Sequence, residues 1–194
     1  MNTSVRFMLP AVAALLFSVS GSAQVSPPAP ADAAVRNLAI QKIVVEPLRS
    51  KKTRIQGGDF DDKTDRITFN VKMTNPDTKT AITDLTAEFY VFAQGVVDRR
   101  AYQLLGKDEM PVSLAPRGTQ TLSTAEVITK WDNTDARFGS RYEGWLFLLR
   151  DSAGKIVYKK ASSPNWAALA EKMNTVTIGR AFDRDLKPLR TSFN

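Results

Sequence analysis

The 194-residue chain has no cysteine and no histidine. Without cysteine there is no disulfide staple, no thiolate nucleophile and no lipid-attachment residue. Without histidine there is no imidazole base, and the two absences together exclude a Cys/His metal site. Long hydrophobic runs are missing too. The one conspicuous run, Phe7 to Val19, falls short of the about 20 residues that span a membrane. No Gly-x-Ser-x-Gly elbow and no phosphate-cradling Gly-x-x-x-x-Gly-Lys-Ser/Thr loop is found. Ordinary nucleophilic, thiol and nucleotide chemistry therefore has little to build on.

What is present begins with a leader. Met1–Ala23 carries one cation, Arg6, then the apolar run, then the small-residue exit Ser20-Gly21-Ser22-Ala23. That order predicts an export signal removed after Ala23, with no transmembrane segment left behind. The mature chain is then expected in a periplasm or at the cell surface. Residues 24–36 are rich in proline and alanine and read as a flexible linker. Residues 37–163 read as one domain, and residues 164–194 as a short helix and tail.

Within the domain the apolar pattern has period two. Ile67, Phe69, Val71 and Met73 alternate with Thr68, Asn70, Lys72 and Thr74, so one face of that segment is buried. Leu85, Ala87, Phe89 and Val91 repeat the pattern. So do Trp145, Phe147 and Leu149, which lead into the hairpin turn Asp151-Ser152-Ala153-Gly154 and a partner strand over Lys155–Lys160. Further strands are expected over Leu38–Leu48, Arg99–Leu105 and Thr119–Thr129, with Arg49–Asp65 as a polar loop or wide hairpin between the first strand and the one that starts at Arg66. Regular strands, short turns and no alternation with helices predict an all-β protein, an immunoglobulin-like antiparallel sandwich of about seven strands. Pro164 and the alanines after it predict the C-terminal helix near Pro164–Met173. Tyr90, Phe92, Leu146 and Leu148 fall on the solvent side of their strands. Either the stripe Trp166, Leu169, Ala170 and Met173 covers them or a partner does; cover from within is favoured, because large bare apolar patches are uncommon.

Candidates for chemistry are few. Asp59, Asp61, Asp62 and Asp65 form the densest acidic cluster, and calcium favours hard oxygen ligands, but Lys63 and Arg66 stand beside them and the spacing is not that of an EF-hand. A solvated loop is the plainer reading, so no cofactor and no metal is expected. Ser152 and Lys155 have Ser-x-x-Lys spacing on a turn rather than a helix. Glu88, Glu109, Glu126 and Glu143 show no carboxylate pairing. No catalytic residue is assigned, and the chain is expected not to be an enzyme. The net charge of +7 is gathered partly at Arg49, Lys51, Lys52 and Arg54. In an exported protein such cations point to an envelope or pilus protein or an acidic glycan rather than to nucleic acid. These four and the aromatics Tyr90 and Phe92 are the candidate partner contacts. Trp131, in Lys130-Trp131-Asp132-Asn133, could stack on a sugar or pack over the end of the sandwich.

The runs ITFNVKMTN (Ile67–Asn75), LAPRGT and YEGWLFLLRDSAGKIVYKKAS resemble immunoglobulin-like domains of exported bacterial proteins. With the leader, the arrangement is similar to secreted immunoglobulin-like proteins that accompany type IV pilus systems of mucin-degrading Verrucomicrobia. The resemblance implies a β-sandwich and an accessory, adhesive or assembly role, with no catalytic residues to carry over. A calcium- or glycan-binding adhesion domain using Asp59, Asp61, Asp62 and Trp131 is the alternative, with a glycan-active hydrolase behind it.

Overall fold

The computed structural model describes residues 30–55, 62–132, 134, 137–190 and 193. The Met1–Ala23 leader and the first part of the linker lie outside them. Two antiparallel sheets pack face to face. Sheet A holds β1 (Val44–Ile55), β2 (Asp62–Thr74), β5 (Thr119–Ser123) and β6 (Val127–Asp132). Sheet B runs β8 (Ile156–Ala161), β7 (Ser140–Asp151), β3 (Ile82–Gly95), β4 (Tyr102–Leu114) and β9 (Ala181–Phe182). With β1, β2 and β3 taken as strands A, B and C of an immunoglobulin domain, β5 and β6 share the place of E, and β7 and β8 are F and G. The chain crosses between sheets after β2, β4 and β6, which is the Greek-key wiring of that sandwich.

The alternation read from the sequence sets the core. Ile67, Phe69, Val71, Leu85, Phe89, Val91, Phe147 and Leu149 meet between the sheets, with Trp145 partly buried at the margin. Phe69 and Phe89 touch across the two sheets, their ring centroids 5.0 Å apart. The described residues contain nine strands where about seven were expected. The segment after Gly118 is broken into β5 and β6, both along the same edge of β2, and the tail adds β9. Strand β4 is also longer than Arg99–Leu105. Its middle, Gly106-Lys107-Asp108-Glu109, hides the strand signal because it holds no apolar side chain to alternate with a polar one.

The chain before β1 departs from expectation. Pro30–Gln41 forms a helix, α1, and the strand starts only at Val44. Proline is tolerated in the first turn of a helix, and the alanines after it favour one. Ala39, Ile40 and Ile43 then reach the core from the helix and the turn that ends it. The β-branched Ile40 and Ile43 suggest a strand, but docking against the end of the sandwich decides otherwise. Arg36 donates to the Thr83 carbonyl, and Gln41 donates to the Val157 carbonyl at 2.9 Å, tying α1 to both strands beneath it.

The C-terminal helix is α2 (Pro164–Ala168), continued by a 3₁₀ helix over Ala170–Thr175. It lies on the outer face of sheet B. The Trp166 ring stacks on Phe92 at 3.9 Å with the planes 4° apart, and it meets Tyr102 edge-on at 5.4 Å. Gly144 makes this fit possible. A Cβ there would lie 2.7 Å from the Trp166 Nε1 and 2.3 Å from the Ser162 hydroxyl.

Candidate functional site

Tyr90 and Phe92 are 1% and 0% exposed. They belong to a second apolar cluster with Leu104, Leu146, Leu148, Trp166, Ala170 and Met173. The chain itself covers them, so they are withdrawn as partner contacts.

Beside that cluster sits a knot of charge on the same face. The Glu88 carboxylate accepts from the Tyr90 hydroxyl at 2.8 Å and from Arg150 Nε at 2.8 Å, and Lys107 Nζ lies 3.4 Å from its other oxygen. Lys107 also pairs with Glu109. Burial by itself would raise the Glu88 pKa. The hydrogen bonds from Arg150 and Tyr90 and the nearby cations outweigh it, leaving Glu88 below the usual carboxylate range. Burial first, and then the bond to Glu88, push the Tyr90 phenol up to about 12. A carboxylate held charged in this way is a poor proton donor, so the knot reads as a clamp between β3, β4 and β7. No signal in the sequence joins these residues, which come from three strands.

The four cations do not lie on a loop. Arg49, Lys51, Lys52 and Arg54 stand on β1, an edge strand paired with β2 along its whole length, from Val44↔Thr74 to Ile55↔Lys63. Alternation splits them between the two faces. On the core side, where the β1–β2 ribbon runs on past the hydrophobic core, the Arg49 guanidinium lies 4.8 Å from the Tyr142 ring centre. Lys51 pairs with Asp65 at 2.8 Å, and the Thr53 hydroxyl donates to the same carboxylate at 2.6 Å. On the outer side Lys52 and Arg54 point to solvent. Exposed cations along a free strand edge also discourage edge-to-edge aggregation.

The acidic cluster divides differently. Asp59 and Asp61 lie outside the described residues. Asp62 begins β2, and Asp65 is 3% exposed and already taken by Lys51 and Thr53. A lysine ammonium on the carboxylate opposes a cation there, so Asp65 is withdrawn as a calcium ligand. Among the described residues no three His, Cys, Asp or Glu side chains gather closely enough to hold a metal. Trp131 lies next to the last residue of β6 and is 6% exposed, with the Arg141 guanidinium 5.2 Å and Lys51 Nζ 6.0 Å from its ring centre. It packs over the end of the sandwich and offers no open face to a sugar. Ser152 and Lys155 sit on the β7–β8 turn, whose backbone amides at Ala153 and Lys155 donate to the Asp151 carboxylate.

A cleft of about 270 Å³ opens between α2 and the end of sheet B, lined by Gln94, Tyr102, Glu143, Asn165, Trp166 and Arg184 among others. Arg184 Nε and Gln94 Nε2 both donate to the Tyr102 hydroxyl, at 3.2 and 3.3 Å. The cleft therefore spends much of its polar capacity on itself.

No protein-family model matches the chain, and no curated protein does. Solved structures do match. A crystal structure from Akkermansia muciniphila aligns over 76% of this chain and 87% of its own, with 14% identity and a TM-score of 0.34. A protein described as a beta-galactosidase from Bacteroides fragilis aligns with 20% identity and a TM-score of 0.34, covering 59% of this chain. A beta-glucosidase from Kluyveromyces marxianus in complex with glucose aligns with 19% identity and a TM-score of 0.25, covering 61%. This chain spans 15% and 14% of those two glycosidases. At such scores the likenesses assign no activity to it.

Proposed function

We propose that the protein is a non-catalytic binding module of a bacterial envelope that holds an acidic partner on the β1–β2 ribbon. One observation carries the reading: the cations singled out in the sequence stand exposed on a twelve-residue edge strand, not in a disordered-looking loop. Clustered, solvent-exposed positive charge raises the local concentration of anions and speeds their encounter, and Lys52 and Arg54 present it on the outer face of the strand. The leader-like start supports export. The resemblance to pilus-associated secreted domains supports work beside a pilus or another surface assembly. No helix among the described residues is long and apolar enough to cross a membrane.

The test is retention of the protein, lacking its leader, on envelope fractions over a salt series. Retention should fall steeply as ionic strength rises and the Debye length shrinks to about 8 Å at 0.15 M. It should be largely lost in an Arg49→Ala/Lys51→Ala/Lys52→Ala/Arg54→Ala variant that still melts cooperatively. Undiminished retention of that variant ends the reading.

A further inference from the structure

The outer face of sheet A carries more charge than β1 alone. Strand register places Lys52 directly opposite Arg66, and it aligns Arg54, Thr64 and Lys130 in the adjoining row. Lys52, Arg54, Arg66 and Lys130 are all exposed. Strands lie about 4.8 Å apart and two residues advance about 6.7 Å, so these four cations occupy a patch of roughly 10 by 7 Å. Like charges directly opposite on neighbouring strands are destabilising, yet among the described residues the pair Lys52↔Arg66 is relieved by Glu126 alone, which meets Arg66 at 2.5 Å. Lys52, Arg54 and Lys130 have no ion pair among the described residues. Next to it, Ser50, Thr68, Asn70 and Ser123 supply hydroxyl and amide groups.

We propose that this face binds a linear anionic polysaccharide, its sulfate or carboxylate groups on the four cations and its neutral hydroxyls along the Ser/Thr/Asn rows. The inference rests on the reading of an acidic partner and names its class. Charge complementarity selects an anion. The lack of an aromatic anchor argues against a protein hot spot, which wants a bulky side chain seated in a pocket. A bilayer-inserting surface would need an apolar face, and this one has only the scattered Leu48 and Ile128.

Heparin serves as the probe, with the full leaderless chain and binding followed by fluorescence anisotropy across a salt series. We expect saturable binding that weakens steeply with salt, as counterion release from a linear polyanion requires. A Lys52→Gln/Arg54→Gln/Lys130→Gln variant should lose at least tenfold in affinity. A charge-matched control, Lys155→Gln/Lys172→Gln/Arg180→Gln, should lose less than threefold. Equal losses in the two variants would overturn the proposal, because net charge alone would then explain binding. So would polyglutamate or phosphatidylglycerol vesicles binding as tightly as heparin, which would move the partner to an acidic protein or a lipid surface while leaving the broader reading in place. Absence of salt-dependent binding to all three probes would sink both readings together.

Discussion

On sheet B the outward positions of β3 and β7 carry Tyr90, Phe92, Leu146 and Leu148, and α2 with its 3₁₀ extension closes over them. On sheet A the outward positions of β1 and β2 carry Leu48, Ser50, Lys52, Arg54, Arg66, Thr68 and Asn70, with no described element laid across them. Both faces belong to strands that bury their other side in the same core. The difference lies in what the second side asks for. Aromatic and branched side chains gain by leaving water, at about 25 cal/mol for each Å² buried, so they recruit the tail. Hydroxyls and cations do not, so they stay in water. One face of the sandwich is thus covered from within and the other is left open to solvent.

The comparison is broken most directly by uncovering sheet B. Trp166→Ala removes the ring that stacks on Phe92 and should cost about 3–4 kcal/mol, measured by denaturant unfolding, with dye binding to the bared aromatics. A loss below about 1 kcal/mol would mean that α2 is not the cover. Gly144→Val should have a comparable effect, because its side chain would displace the same indole. Next in size is the charged knot. Glu88→Gln leaves Arg150 facing Lys107 without its counter-ion and should cost about 2–3 kcal/mol. This is somewhat less than for fully buried pairs, since both cations keep some contact with water.

The knot also sets a pH dependence. Glu88 is depressed in the fold, so its contribution is present above the ordinary carboxylate value of 4.5 and is lost as pH falls below that through the folded value. Tyr90 has the opposite sense. The folded phenol keeps its proton up to about 12 against an ordinary 10.0, so stability present below pH 10 drains away as pH rises toward 12. In Tyr90→Phe the part of the alkaline loss due to this phenol should vanish from a series of melts between pH 9 and 12, and an unchanged limb would remove Tyr90 from the clamp. The smallest effect belongs to sheet A. Lys52→Glu should leave stability within about 0.5 kcal/mol and tip it slightly upward, because it turns the opposed pair Lys52↔Arg66 into an attraction. A clear destabilisation would show that the bare face is structural after all.

Period two made the core legible from Ile67 to Val91 and from Trp145 to Leu149, because a half-buried strand states its inner face residue by residue. The cover over Tyr90 and Phe92 was legible for the same reason: two apolar faces on one strand require something on each side. Helix α1 was not, since Ile40 and Ile43 favour a strand locally and only their docking against the sandwich end reverses that. The cations of β1 could be found as a cluster, but their division between Arg49 and Lys51 on one face and Lys52 and Arg54 on the other depends on pairing with β2. Arg66 and Lys130 join the outer group only through register. The Glu88 knot is beyond sequence reading, as its members lie on three strands and meet only in the folded sheet.

The central claim is that recognition uses the bare face of sheet A. Backbone amide NMR shifts recorded while a heparin oligosaccharide is titrated into the leaderless protein test it most directly. The account predicts that the largest shifts fall on Ser50–Arg54, Thr64–Thr68 and Ile128–Lys130. Shifts centred on the cleft of Gln94, Trp166 and Arg184, with β1 unmoved, would contradict it.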